Sequence, residues 1–380
     1  MLCPWGHIGA QSLLKPEVAK AVSFVEKNLK PDHQSQYFRV TQSSGDSLFV
    51  ETTSQEAIRQ FDSILPGLPM KTHLLPERFS DNKDFGIVLL SVTNHRSEPA
   101  QAAEMLTQAL MGSTVRILKK VKEDYYLVQT GDNYISFVER AGIFPVTETE
   151  KEKWENQPQI IFTQLYGTVY SENDEKSLPV SDIVAGDRLA WIGEKGKFFQ
   201  VQYPNGKKGF VLRQEATRYR DWATHNKPTY ENVLATGKRL LGVPYLWGGT
   251  SIKGMDCSGF MRTCFFLNGV LLPRDASQQS RVGEKVDIYE NGVVNMAKAL
   301  TTLRQGDLLF FGTKRGDGSE RVIHVAMYMG DGRFIQSSGF VRISDFSPSS
   351  PDYDANHTRQ FLSARRVLTH VGEPGIILLK

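Results

Sequence analysis

The sequence predicts a multi-domain α+β chain: a small mixed N-terminal region, then two small β-barrels, then a larger α+β domain. Three observations lead there. The 380 residues exceed one ordinary core and suggest two to four domains at roughly 100–200 residues each. From Gly86 the texture changes to short apolar runs punctuated by Gly, Asp and Asn at intervals of about ten residues, the pattern of small all-β barrels. Beyond residue 217 a buried helical pattern precedes strand patterns. The boundaries read as 1–85, 86–147, 155–217 and 218–380.

In the first region, residues 15–30 place Val18, Ala21, Val22, Phe24, Val25 and Leu29 at near-helical spacing. Ala57, Ile58, Phe61, Ile64 and Leu65 repeat this spacing, so two amphipathic helices are expected. Gln36 to Val40 and Ser47 to Val50 read as short strands between them. The role of this region is open.

The next unit has strand candidates at Ile87 to Val92, Ser113 to Leu118, Tyr125 to Gln129 and Asn133 to Val138. After the charged stretch 147–154 a second set follows at Gly167 to Tyr170, Asp187 to Ile192, Phe198 to Gln202 and Lys208 to Val211. Both sets run from a Gly-x-x-Val/Leu strand through an aromatic strand ending in Val-Gln to a strand ending in Phe-Val, an imperfect duplication. Both resemble bacterial SH3-like domains. The first does so through Arg96-Ser97-Glu98-Pro99, Thr107-Gln108-Ala109-Leu110-Met111-Gly112 and Tyr134 with Phe137-Val138; the second match is weaker. Such barrels serve as plain spacers, as wall-binding modules or as one wall of an active-site cleft.

Charge and composition exclude several classes. Lys and Arg number 45 against 42 Asp and Glu, spread without a basic block, so no nucleic-acid partner is indicated. Cys3, Cys257 and Cys264 form neither a disulfide framework nor a Cys-x-x-Cys metal pair. No metal and no organic cofactor is expected. No run reaches the roughly 18 apolar residues of a spanning helix, and the start carries no leader pattern. No obligatory protein partner is evident.

The most informative segment is Gly242-Val243-Pro244-Tyr245-Leu246-Trp247-Gly248-Gly249, continued by Gly254-Met255-Asp256-Cys257-Ser258-Gly259-Phe260. Its glycines permit a tight, irregular backbone leading into a buried helix from Cys257 to Leu267. Cys257 is expected at or next to the first helical residue. There, unpaired N–H groups and the helix dipole favour a thiolate and can hold an oxyanion. Asp256 works against the thiolate, so an imidazolium partner is needed. Cys264, among Phe260, Phe265 and Phe266, reads as core.

Of eight histidines, most, such as His7, His33 and His225, sit in polar, loop-like contexts. His324 lies in a strand, Arg321 to Met329. Alternation puts Ile323, Val325, Met327 and Met329 on one face and His324, Ala326 and Tyr328 on the other. If Gly330-Asp331-Gly332 forms a three-residue hairpin loop, Gln336 falls opposite Ala326, on the face of His324 and near enough to orient its ring. A two-residue Asp331-Gly332 turn should put Gln336 on the wrong face. Asp307, in Gly306-Asp307-Leu308-Leu309-Phe310-Phe311, reads as structural.

These blocks, together with His324-Val325-Ala326-Met327-Tyr328-Met329-Gly330, resemble the NlpC-type cell-wall peptidases, papain-like enzymes that cleave peptidoglycan peptides. The resemblance covers residues 221–370. With SH3-like domains before the peptidase, the arrangement is similar to the γ-D-glutamyl-L-diamino acid endopeptidases of muropeptide turnover. It implies hydrolysis of the bond between the γ-carboxyl of D-Glu and the diamino acid, in fragments with a free N-terminal L-Ala. By motif position Cys257 is the nucleophile, His324 the base and Gln336 the third polar residue.

That third residue is often histidine in such enzymes. Glutamine accepts from an imidazole N–H but cannot change charge. The resemblance further implies that Glu104, Tyr134 and Asp256 hold the substrate's amine, and that Tyr245, Trp247, Ser258 and Asp275 line the pocket. Glu104 as a solvated residue and Tyr134 as a core aromatic are the plain alternatives. It also implies a bacterial envelope location, periplasmic or secreted, with the cytoplasm as the alternative. The rival functions are an acyltransferase on the same scaffold and a non-catalytic wall-binding protein.

Overall fold

The computed structural model describes residues 14–29, 34–42, 47–121 and 124–379. Cys3, His7, His33 and Lys30, which entered the sequence reading, lie outside them.

Both N-terminal helices form, at Pro16–Asn28 and Gln55–Ile64, the second started by Ser54, whose side chain accepts from the Ala57 N–H. Their apolar faces meet the strands Phe38–Gln42 and Leu48–Thr52 in a core of Val18, Val22, Val25, Val40, Val50 and Phe61. A third strand, Met70–Leu74, pairs parallel with Leu48–Thr52. Its sequence, MKTHL, has no buried residue and so left no apolar signal.

The first β unit is a seven-stranded sheet. Its spatial order is Ile143–Val146, Phe85–Val88, Thr114–Val121, Tyr125–Thr130, Ile135–Glu139, Val92–Arg96 and Met105–Leu110. It encloses Val88, Val115, Ile117, Tyr126, Val128 and Val138. The single strand expected at 87–92 is two, Phe85–Val88 and Val92–Arg96, which lie apart in the sheet.

The charged stretch that follows is a helix, Glu148–Asn156, with a capping box between Thr147 and Glu150. Trp154 anchors it, donating from Nε1 to the Gly112 carbonyl at 2.9 Å. A second seven-stranded sheet, from Gln159–Phe162 to Ala216–Arg218, encloses Ile160, Phe162, Val169, Ile183, Leu189 and Val201.

The C-terminal unit is built on a six-stranded antiparallel sheet in the order Glu284–Lys285, Phe361–Arg366, Leu308–Lys314, Glu320–Gly330, Arg333–Ser338 and Phe340–Asp345. The helix Cys257–Phe266 covers one face, burying Phe260, Met261, Cys264 and Phe265 against Leu308, Phe310, Val325 and Met327. The opposite face carries Phe311, Phe334, Phe346 and Phe361. Burying a side chain of this size contributes about 1.5–3 kcal/mol, so each aromatic layer holds the sheet firmly.

Polar contacts lock the β units to this domain. Lys253 Nζ reaches Asp182 of the second sheet at 2.7 Å and Ser91 of the first at 2.8 Å, while Ser91 donates to Asp182 at 2.9 Å. One lysine thus ties three units together. Arg262 pairs with Asp132 of the first sheet at 2.7 Å. Among the described residues no helix is long and apolar enough to cross a membrane.

Candidate active site

Cys257 is the first residue of its helix and Asp256 is the N-cap, its Oδ1 accepting from the Gly259 N–H at 2.7 Å. The Asp256 and Gly259 pairing is an ordinary capping interaction. The approach is tight: a Cβ on Gly248, whose φ is +78°, would lie 2.4 Å from the Met105 carbonyl of the first sheet. Only glycine lets that strand come so close.

The backbone N–H groups of Val325 and Ser258 act on the Cys257 thiol. Cys257 packs in one core with Val325, the residue next to His324 in the strand Glu320–Gly330. The sequence favoured a thiolate, but burial dominates. It pushes the thiol up to about 12, Asp256 adds to this, and the two N–H groups and Arg274 oppose it. Burial likewise pulls His324 down to about 3, with His357 adding its charge and Gln336, Asp354 and Asp256 opposing. Burial thus favours the neutral form of both groups.

Gln336 Oε1 lies 2.6 Å from His324 Nε2. The route to this contact differs from expectation. The turn is the tight one, Asp331 at φ +51° and Gly332 at φ +76°, between the paired Gly330 and Arg333. A bulge between Tyr328 and Gly330 adds the missing residue, and the register becomes Tyr328 to Phe334 and Met327 to Ile335. One step further, Gln336 lies opposite Ala326. A bulge shifts every following side chain to the other face, which is why a two-residue turn still delivers Gln336. A second irregularity, where Phe311 pairs with His324 but Gly312 with Val322, leaves Ile323 exposed instead of sharing the buried face of Val325.

The first sheet forms a wall beside Cys257. Glu104, exposed, accepts from Trp247 Nε1 at 2.8 Å. Tyr134 is buried, its hydroxyl 3.5 Å from Asp275 Oδ2. Burial raises the Tyr134 phenol well above its ordinary value, Asp275 adds to this, and Arg274, Asp256 and Asp132 also act on it. Tyr245 is raised too, first by burial and then by Cys257 and Asp256. Ser258 donates to Asp256 Oδ1 at 3.2 Å.

The structure therefore brings Tyr134, Tyr245, Asp256, Ser258 and Asp275 around the start of the cysteine helix, and Glu104 against Trp247. Asp256 faces inward, bonded to the N–H groups of Gly248 and Gly259. Asp307 is tied to Arg366 at 2.9 Å and Cys264 is fully buried.

Sequence reasoning missed three residues. Arg274, fully buried, donates to Asp256, Ser258 and Thr107. Asp354 and His357 sit behind Gln336, with the His357 ring 4.3 Å from that of His324. The Asp-Ala-Asn-His spacing of a capped helix was the only signal for the latter two. Among the described residues no cluster of His, Cys, Asp and Glu could hold a metal ion.

The geometry agrees with three comparisons. Residues 242–362 match the NlpC/P60 family and residues 95–143 the bacterial dipeptidyl-peptidase SH3 domain. A gamma-D-glutamyl-L-lysine dipeptidyl-peptidase of Bacillus cereus is 34% identical over 278 residues, covering 70% of this chain and 76% of that one. Dipeptidyl-peptidase 6 of Lysinibacillus sphaericus is 28% identical over 260 residues, covering 66% and 87%. The crystal structure of an NlpC/P60 family protein from Bacillus cereus superposes with a TM-score of 0.61 at 27% identity, covering 75% of this chain and 99% of that one. With the cysteine, the histidine strand and the SH3-like wall in one assembly, this chain belongs to the NlpC/P60 family of cysteine peptidases.

Proposed function

We propose that the protein hydrolyses the γ-D-glutamyl–L-diamino acid bond of peptidoglycan-derived peptides that carry a free N-terminal L-Ala. The observation that carries this reading is the acidic wall beside Cys257. Asp256 and Asp275 act on the buried cation Arg274, the Tyr134 hydroxyl lies 3.5 Å from Asp275, and Glu104 stands exposed at the Trp247 indole. Carboxylate oxygens and a phenol at one end of a cleft suit an ammonium group. A glycan strand has no such group to offer there. The Bacillus cereus relative named a gamma-D-glutamyl-L-lysine dipeptidyl-peptidase supports the choice of bond.

In this reading His324 takes the thiol proton as the Cys257 sulfur attacks the γ-carbonyl carbon. N–H groups at the helix start hold the oxyanion. The imidazolium then protonates the leaving amine, the C–N bond breaks and a thioester remains. Water, activated by the same imidazole, releases the dipeptide and frees the sulfur. Gln336 orients the ring, while Tyr245, Trp247, Ser258 and Asp275 line the acyl side. Such a substrate places the enzyme in the bacterial envelope or wherever wall fragments are recycled.

The test is a panel of L-Ala-γ-D-Glu peptides ending in L-Lys or meso-diaminopimelate, with the L-Ala amine free or acetylated, followed by mass spectrometry. Cleavage of the free peptides alone is expected, and Cys257→Ala should abolish it. Equal cleavage of the acetylated peptides would sink the amine site but leave the nucleophile assignment. Turnover by Cys257→Ala would remove the assignment itself.

A further inference from the structure

We infer that Asp354 is a positioning residue of this site: by fixing which end of the Gln336 amide faces His324, it selects the imidazole tautomer able to accept the thiol proton. The inference rests on His324 acting as the base. Gln336 is the weak point of the constellation, because an amide turned end over end has the same shape but opposite chemistry. Its oxygen accepts and its nitrogen donates. Turned one way, it accepts from Nε2–H of His324 and leaves the Nδ1 lone pair to receive a proton. Turned the other way, its NH2 donates to Nε2, the ring proton moves to Nδ1, and the imidazole offers that position no lone pair.

The structure contains one group that decides between these states. Asp354 Oδ2 lies 2.9 Å from Gln336 Nε2, and Ser344 Oγ lies 2.8 Å from the same nitrogen. A serine hydroxyl accommodates either end of the amide, since it donates and accepts. A carboxylate only accepts, so the amide nitrogen must face Asp354 and the oxygen must face His324, where it is found at 2.6 Å.

Asp354 is well held. It caps the helix Ala355–Gln360, with Oδ1 accepting from the His357 N–H at 3.0 Å and Oδ2 from His357 Nδ1 at 2.8 Å and Arg342 Nη2 at 3.0 Å. Burial pushes its carboxyl upward, but the His357 N–H and ring and the Gln336 amide outweigh this and hold it down to about 2. It therefore stays an acceptor at any pH at which the enzyme works.

The effect is orientational. Arg342 and His357 stand beside Asp354 as cations or potential cations, and His357 stacks on His324 at 4.3 Å. Asp256 acts on His324 from the helix side, and the Phe311 ring packs on it at 5.6 Å with no charge. The Asp354 charge is thus largely matched locally, which leaves selection of the amide end as its distinctive role.

The experiment uses Asp354→Asn in the full chain, because asparagine caps a helix as well as aspartate but donates as readily as it accepts. Expected is a 10- to 100-fold fall in kcat on the free-amine tripeptide with KM changed less than twofold. The double variant Gln336→Glu/Asp354→Asn should recover most of it, since a carboxylate shows His324 an oxygen in either orientation and the introduced asparagine can donate to the other. Histidine 15N–1H correlation spectra should show the His324 ring proton on Nε2 in the unmodified protein and divided between the nitrogens in Asp354→Asn. The spectra read the tautomer without any substrate, so they separate failure here from failure of the proposed reaction. Asp354→Ser, also a good cap, replaces the asparagine variant if that one does not fold. An unchanged tautomer, unchanged kcat, or no recovery in a folded double variant overturns the inference.

Discussion

Arg274 lies wholly inside the protein with its Nη2 2.6 Å from Oδ2 of Asp256, the residue before Cys257. Its Nε donates to Thr107 of the first sheet at 2.9 Å and its Nη1 to Ser258 at 3.0 Å. One guanidinium therefore neutralises the N-cap carboxylate, lowers the cost of ionising Cys257 and joins the SH3-like wall to the cysteine helix. Lysine lacks the planar fork that makes these bonds together. Breaking such a buried pair costs about 3–5 kcal/mol because the remaining charge is uncompensated. At about 2–4 °C per kcal/mol for a domain of this size, Arg274→Met should lower the melting temperature by roughly 6–20 °C. Arg274→Met/Asp256→Asn, which removes the orphaned charge but keeps a capping oxygen, should melt higher than Arg274→Met alone. Scanning calorimetry decides, and equal melting of both variants refutes the account.

Tyr134→Phe tests the proposed amine site without removing the core ring. The ring fills the same space in either variant, so the melting temperature should move by no more than a few degrees. Losing one hydrogen bond to a charged group costs about 1.5–3 kcal/mol, or about 10- to 100-fold. That loss should appear in KM for free-amine peptides and be absent with acetylated ones. A uniform loss across both would place Tyr134 in the core only.

Acid should destabilise the protein through its buried neutral histidines. His95 is fully buried between Ser136 and Thr93, and burial pulls it down to about 4 despite the opposing charge of Asp132. In the unfolded chain an ordinary histidine titrates near 6.5. Because the folded value is depressed, its contribution is fully present above about pH 6.5 and is lost as the pH falls through 4. The slope approaches about 1.4 kcal/mol per pH unit in that window. His324, held down to about 3, acts in the same direction. In urea titrations between pH 7 and 4, His95→Gln should lose stability with pH distinctly less steeply than the unmodified protein. Parallel slopes would show that His95 is not held neutral.

What could be read from the sequence was what depends on neighbours in the chain. Cys257 is legible at its helix start because Gly248, Gly249 and Gly254 precede it and Phe260, Met261, Cys264 and Phe265 continue the helical pattern, and the cap is made by Asp256 within three residues. The Tyr134 and Glu104 positions came from resemblance, since nothing local marks them. Arg274 was not legible because its partner Thr107 is 167 residues away and an arginine between Pro273 and Asp275 reads as a surface turn. Asp354 and His357 were hidden for the same reason: their importance comes from Gln336, which reaches them only through sheet pairing. The bulge at Met329 was invisible because a glycine-flanked turn fits loops of two or three residues equally well.

That bulge supplies the last prediction. Gly330 sits at φ +97°, where a Cβ would also meet Gln305 Nε2 at 2.8 Å. A side chain there is strained by its backbone and by its neighbour, a cost of about 1–3 kcal/mol. A chain relieving that strain by losing the bulge would pair as a plain two-residue hairpin and set Gln336 opposite Met327, on the face turned toward the helix. Gly330→Ala should therefore lose kcat at least tenfold at temperatures well below its melting point, with the His324 to Gln336 contact broken in its crystal structure. The control is Asp331→Ala, also at positive φ but beyond the bulge, which should cost stability and leave kcat near normal. If both substitutions reduce stability alike and neither reduces kcat, the register that delivers Gln336 is set elsewhere than at this bulge.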